Sequence, residues 1–185
     1  MSDLDKERVQ KENIPILDSD IDDLFKYEIS SSVGGEGLLR CLKCGACSGG
    51  CPVSAVTDYR PRKVLGNVLL GLRDQVLFSS DIWMCAACFT CEERCVQEVN
   101  FTDVVTILRN KAVEEGYAAE GYLKMARQIA TNGRVAPKTH AVDKMRERLG
   151  LPELQAPSLE EVHKIFEASG FNRILEKYAR KEAEE

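Results

Sequence analysis

The sequence predicts an all-α protein. Three observations carry that expectation: two identical runs of cysteines, a helix-periodic segment between them, and no stretch with the period-two alternation of a strand. The cysteine runs say most. All eight cysteines fall into them, Cys41, Cys44, Cys47 and Cys51 followed by Pro52, then Cys85, Cys88, Cys91 and Cys95. Each run reads C-x2-C-x2-C-x3-C, the ligand pattern of a chain that holds two [4Fe–4S] cubanes.

The spacing has a mechanical reason. Three cysteines at steps of three curl around about one helical turn or a tight loop, so their sulfurs converge on one face of a cube. The fourth lies four residues on and points away. In two-cluster ferredoxins it ligates the other cluster. Applied here, Cys41, Cys44, Cys47 and Cys95 hold one cubane, and Cys85, Cys88, Cys91 and Cys51 hold the second. No cysteine is left over for substrate chemistry, so the expected work is electron transfer. Structural zinc prefers two separated cysteine pairs or Cys/His mixtures over an uninterrupted triple. Disulfides fit the even count, but nothing suggests export, and cytosolic thiols stay reduced.

A chain of 185 residues has room for one core, or for a small cluster domain with an accessory helical part. Its formal charge of −5 repels nucleic acid on average and favours soluble protein partners. The charged residues Met1 to Arg8 precede no apolar region, so no signal peptide is expected. No apolar run approaches the ~18 residues of a membrane span. The expected location is the cytoplasm.

Residues 1–33 read as an acidic N-terminal arm that docks on a partner. Residues 34–118 read as a two-cluster domain, and 119–185 as a C-terminal helical segment. Between the cysteine runs, Pro61 to Leu72 reads as a helix: Leu65, Val68, Leu69 and Leu72 recur at helical spacing, and Pro61 suits a first turn. Ser79-Ser80-Asp81 reads as a cap or turn before the second run. Thr102 to Glu115 is the next helix, with Val104, Val105, Leu108 and Ala112 on its buried side and Gly116 as its stop. Further helices are expected over 121–131, 140–149, 158–168 and 172–181. Ser158 to Glu161 has the composition of a capping box, and Gly133, Gly150 and Gly170 suit left-handed C-terminal positions. Small bacterial ferredoxins put their runs on short strands with fewer residues between them. A helix between the runs points instead to a helical ferredoxin-like domain holding two [4Fe–4S] clusters, with extra N- and C-terminal segments.

Weaker features accompany the runs. Arg60, Arg62 and Lys63 crowd the start of the Pro61 helix, where positive charge opposes the helix dipole; an anionic cluster, a carboxylate or a neighbouring protein would offset it, and a solvated basic turn is the plain alternative. Trp83, Met84 and Phe89 supply an apolar wall, which tunes a cluster by limiting water and also simply packs a core. His140 and His163 find no vacancy in a full set of eight cysteines and read as surface or packing residues. No nucleotide loop or serine-nucleophile elbow is present.

These residues together resemble the C subunit of heterodisulfide reductase, the small iron–sulfur component of the methanogen enzyme and its bacterial relatives. The resemblance rests on Cys41 through Cys51-Pro52, on Tyr59-Arg60-Pro61-Arg62-Lys63, on Gly71-Leu72, and on Asp81-Ile82-Trp83-Met84-Cys85 through Arg94-Cys95. It implies a hetero-oligomer in which this chain relays electrons from the flavin-containing A subunit to the catalytic B subunit. The latter reduces the disulfide of coenzyme M and coenzyme B. A free-standing ferredoxin-like carrier, or the iron–sulfur subunit of another multi-subunit oxidoreductase, is the alternative. The family usually places proline after both fourth cysteines, whereas Val96 follows Cys95 here. A valine keeps an N–H that could meet a cluster sulfur.

Overall fold

Helix-compatible composition and well-placed breakers set the architecture. The structure is a computed structural model that describes residues 17–184, so residues 1–16 of the expected arm lie outside the described residues. Among the described residues every regular element is helical and no strand occurs. Contacts divide the chain into a unit ending at Lys111 and a second beginning at Ala112.

The first unit contains α1 (Phe25–Ser30), α2 (Ala46–Gly49), α3 (Pro52–Val56), α4 (Pro61–Leu69), α5 (Arg73–Leu77), α6 (Thr90–Glu93) and most of α7 (Phe101–Glu115). Pro61 opens α4, where its missing N–H costs no hydrogen bond, and Val64, Leu65 and Val68 form the buried face. The helix ends at Leu69, short of Leu72, because Gly71 turns left-handed at φ +77. A Cβ there would lie 2.4 Å from the Asp22 carbonyl oxygen, so only glycine lets the chain entering α1 approach so closely.

Within the stretch read as an arm, α1 is core. Phe25 and Ile29, one helical turn apart, are both fully buried, and α1 packs on α4. Each such burial stabilises by about 1.5–3 kcal/mol. Asp22 donates its N–H to the Gly71 carbonyl at 2.8 Å. Glu28 pairs with both Arg73 and Lys111, and the Arg73 guanidinium stacks 5.1 Å from the Phe25 ring centre. Arg73 first, helped by Lys111, holds the Glu28 carboxyl below its ordinary pKa. On α7, Val104, Val105 and Leu108 are buried as the periodicity predicts. Arg109 donates to the carbonyls of Ile82 and Cys85, both at 2.8 Å, which fixes the entry to the second cysteine run.

The second unit contains α8 (Glu120–Asn132), α9 (His140–Arg148), α10 (Leu159–Ser169) and α11 (Phe171–Glu184). Ser158 caps α10 by accepting the Glu161 N–H at 3.3 Å. Gly133 and Gly170 end α8 and α10 in the left-handed region, as their positions predict. α8, α10 and α11 pack together, Phe166 lies 4.6 Å from Phe171, and the Tyr178 hydroxyl donates to the Val113 carbonyl at 3.1 Å. His163 meets the Ala130 carbonyl from α10, a packing contact.

Candidate iron–sulfur site

Each run folds its first three cysteines on the same backbone turn. In the first, Lys43 and Gly45 are left-handed, at φ 54 and 90; in the second, Ala87 and Phe89 repeat the pattern at φ 50 and 61. Three of these four carry a side chain, and each pays about 1–2 kcal/mol for the conformation. Left-handed residues within a tight turn make the backbone concavities that receive anions, which suits a cluster with negative sulfurs. Gly45 then starts α2, which carries Cys47, and Phe89 starts α6, which carries Cys91. The two short helices pack on each other and bring the runs together.

Beyond this point the runs diverge. Cys51 is extended and leads straight into α3, with Pro52 at its first position. Cys95 instead begins a turn closed by the Glu98 N–H on the Cys95 carbonyl at 3.0 Å. The Val99 N–H, rather than that of Val96, meets the Cys95 sulfur at 3.3 Å.

Two cavities result. The first is lined by Cys41, Cys44, Cys47 and Cys95, with Arg62 and Leu65 on its wall. The second is lined by Cys51, Cys85, Cys88 and Cys91, with Tyr59 and Thr102. The second thus gathers three cysteines of one run and the fourth of the other, and the first gathers the mirror set with Cys91 added. Cys91 and Phe101 line both, so the cavities share a wall. Cys44 and Cys88 are exposed while Cys91 is buried.

The residues present fit a cubane in each cavity. Four thiols are the donor set that four iron atoms need. Burial raises the Cys47 thiol, and burial above all, with Cys85 and Glu92 adding to it, pushes Cys91 up to about 11. Iron bound here would hold these sulfurs as thiolates despite their burial. The exposed Cys88 thiol is lowered instead, chiefly by the Thr90 hydroxyl 3.5 Å away. Two polar atoms of the second cavity are buried without a hydrogen-bond partner, the Tyr59 hydroxyl and the Thr102 hydroxyl. Burial, and then the Cys85 and Cys51 sulfurs, hold the Tyr59 phenol well above its usual pKa.

The basic cluster at α4 splits in two. Arg60 turns away from its own helix and donates to the carbonyls of Ser54, Thr57 and Tyr59, closing the end of α3. Arg62 lies over Gly45 at the first cavity. Sequence reasoning missed the partnerless hydroxyls and the Arg109 anchor. Tyr59 stood in the family-like motif, but nothing in a sequence says where a phenol ends.

Known proteins resemble this chain over the cysteine runs and well beyond them. A family model described as the 4Fe-4S dicluster domain matches residues 37–99. The C subunit of the H(2):CoB-CoM heterodisulfide,ferredoxin reductase of Methanothermobacter marburgensis is 35% identical over 173 residues, 90% of this chain and 93% of that one. The iron–sulfur C 2 subunit of the CoB–CoM heterodisulfide reductase of Methanocaldococcus jannaschii is 37% identical over 158 residues, 80% of this chain and 84% of the relative. The C subunit of the ferredoxin:CoB-CoM heterodisulfide reductase of Methanosarcina mazei is 32% identical over 146 residues, 76% of this chain and 90% of the relative. With similarity of that extent, this all-α, 4Fe–4S chain belongs to the family of heterodisulfide reductase C subunits, as an iron–sulfur electron-transfer subunit of an oxidoreductase complex.

Proposed function

We propose that the chain binds two [4Fe–4S] clusters, one on Cys41, Cys44, Cys47 and Cys95 and the other on Cys85, Cys88, Cys91 and Cys51. Through them it relays electrons from the A subunit, which contains flavin and iron–sulfur clusters, to the catalytic B subunit, which reduces the heterodisulfide of coenzyme M and coenzyme B. The observation that carries this reading is the shared wall between the two cavities, with an exposed cysteine on each: Cys44 at one and Cys88 at the other. That arrangement offers a separate place for electrons to enter and to leave, joined by a short path.

The chain's residues do three things in this scheme. Cysteine thiolates hold iron, the cluster supplying one-electron transfer when bound. Phe101 and Leu65, both buried, keep water from the inner walls, which keeps the local dielectric low. The exposed side chains Leu42 beside Cys44, and Phe89 beside Cys88, give each outer face an apolar rim that a protein partner covers better than water does. Residues 1–33 and 119–185 supply further docking surface, and the complex works in the cytoplasm. No helix among the described residues is long and apolar enough to cross a membrane.

The test is anaerobic co-purification with the flavin-containing and catalytic partners, followed by assay of the parts. The isolated chain should carry about eight iron and eight sulfide, exchange electrons with dyes, and leave the heterodisulfide unreduced. The assembled complex should reduce it. Reduction by the isolated chain, or about four iron per chain, would sink this reading.

A further inference from the structure

The second cavity contains two hydroxyls that the ligand set does not need. Tyr59 is fully buried and Thr102 nearly so, yet neither hydroxyl has a well-aligned hydrogen-bond partner within the protein, the Tyr59 hydroxyl lying beside only the Cys85 sulfur. A buried hydroxyl left unpaired keeps the full cost of its lost hydration, so two on one cavity wall call for an acceptor. Both line the cavity of Cys51, Cys85, Cys88 and Cys91, and neither lines the other. The acceptors available there are sulfurs.

We propose that Tyr59 and Thr102 donate their hydroxyl protons to sulfurs of the cluster in that cavity, and so raise its reduction potential relative to the same ligand set without them. The inference rests on the ligand grouping proposed above. The direction follows from charge. A reduced cubane carries one more negative charge, most of it felt at the sulfurs, and a donor pointed at a sulfur stabilises the reduced state more than the oxidised one. Tyr59 is the stronger positioning residue, because it is a better acid than an aliphatic alcohol and is held rigidly: its ring is fully buried, its carbonyl accepts from Ser54 at 2.7 Å, and its N–H donates to Thr57 at 3.2 Å. Thr102 is fixed from outside the cavity, its N–H donating to Glu92 at 2.7 Å.

The experiment is an EPR-monitored redox titration of the anaerobically purified full chain, alone and with its partners, for wild type, Tyr59→Phe, Thr102→Val and the double variant. Phenylalanine keeps the buried ring and valine keeps the branched shape, so each change removes little but the hydroxyl. Iron is counted in every sample, and the signal that survives in Cys51→Ala identifies the first cluster. At a fixed poise, Tyr59→Phe should lower the reduced-to-oxidised ratio of the second cluster about tenfold, equivalent to about 59 mV for one electron. Thr102→Val should lower it less, and the first cluster should not move. In D2O the deuteron coupling assigned to the second cluster should weaken in Tyr59→Phe. Full iron with both potentials unchanged overturns the donation while leaving the ligand grouping intact. Loss of half the iron in Tyr59→Phe overturns it too, because the hydroxyl would then be holding the fold. A shift in the cluster that survives Cys51→Ala overturns the ligand grouping, and the proposal with it.

Discussion

Gly45 and Phe89 occupy the same place in the two cysteine runs, each following the second cysteine and each left-handed, but their surroundings differ. Beside Gly45 the first cavity has a cation, with the Arg62 Cδ 3.5 Å from where a Cβ would sit, and Arg62 is exposed to solvent. Beside Phe89 the second cavity has no cation on its wall; it has buried hydroxyls and aromatic rings. One fold thus favours electrons by two physical routes. A charge at the surface acts over distance and is screened by salt; a buried dipole acts only on contact and is not screened. On the proposed ligand grouping, the same eight-cysteine pattern leaves room for two clusters that answer differently to ionic strength, which suits the relay proposed above.

The largest effect in this comparison comes from the fourth cysteines. Cys51→Ala should remove the cluster beside Tyr59 and leave the one beside Arg62, with iron falling from about eight to about four per chain. Cys95→Ala should do the reverse. Metal analysis with EPR of both variants decides it. If Cys51→Ala instead empties the cavity of its own run, the crossed grouping is wrong and each cavity must be reassigned.

The parts of this molecule that the sequence made legible are those with local causes. The proline opening α4, the Ser158 cap and the glycine stops at 133 and 170 act within a turn of themselves, and each appears where the pattern puts it. What the sequence hid has distant causes. The six-residue α1 sits in an acidic stretch and would be marginal alone; Phe25 and Ile29 become core only because α4 and the Gly71 turn come to meet them. Removing residues 1–30 should therefore strip two fully buried side chains, Phe25 and Ile29, from the core of the first unit. The charges at α4 read as one basic patch, yet Arg60 serves the carbonyls of α3 while Arg62 faces a cavity. Side-chain reach, not residue type, separates them.

A smaller effect comes from exchanging the paired left-handed residues. Gly45→Ala places a Cβ at φ +90 and should destabilise the holoprotein by about 1–2 kcal/mol. Phe89→Gly relieves strain of about the same size but strips an apolar ring, half of it exposed, from beside Cys88. Its unfolding midpoint should rise or stay level while its second cluster bleaches faster in air. Denaturant unfolding under anaerobic conditions and the rate of bleaching on exposure to oxygen separate the two quantities. Equal losses of stability in both variants would mean that the two turns are not equivalent after all.

The smallest effect is expected where the runs look most different in sequence, at Pro52 and Val96. Pro52 opens a helix, but Val96 sits second in the four-residue turn that the Glu98 N–H closes on Cys95. That position favours proline, and Val96 is 77% exposed, so its side chain packs on little. The amide that reaches the Cys95 sulfur belongs to Val99, which the exchange leaves in place. Val96→Pro should therefore stabilise the chain slightly, by about 0.4–1 kcal/mol through a stiffer unfolded state, and should move neither cluster's potential. Denaturant unfolding and a redox titration of the variant check both halves. A fall in the potential of the first cluster alone would show that the Val96 N–H does donate to a sulfur there, and that the valine in this run is a tuning choice and not a tolerated exchange.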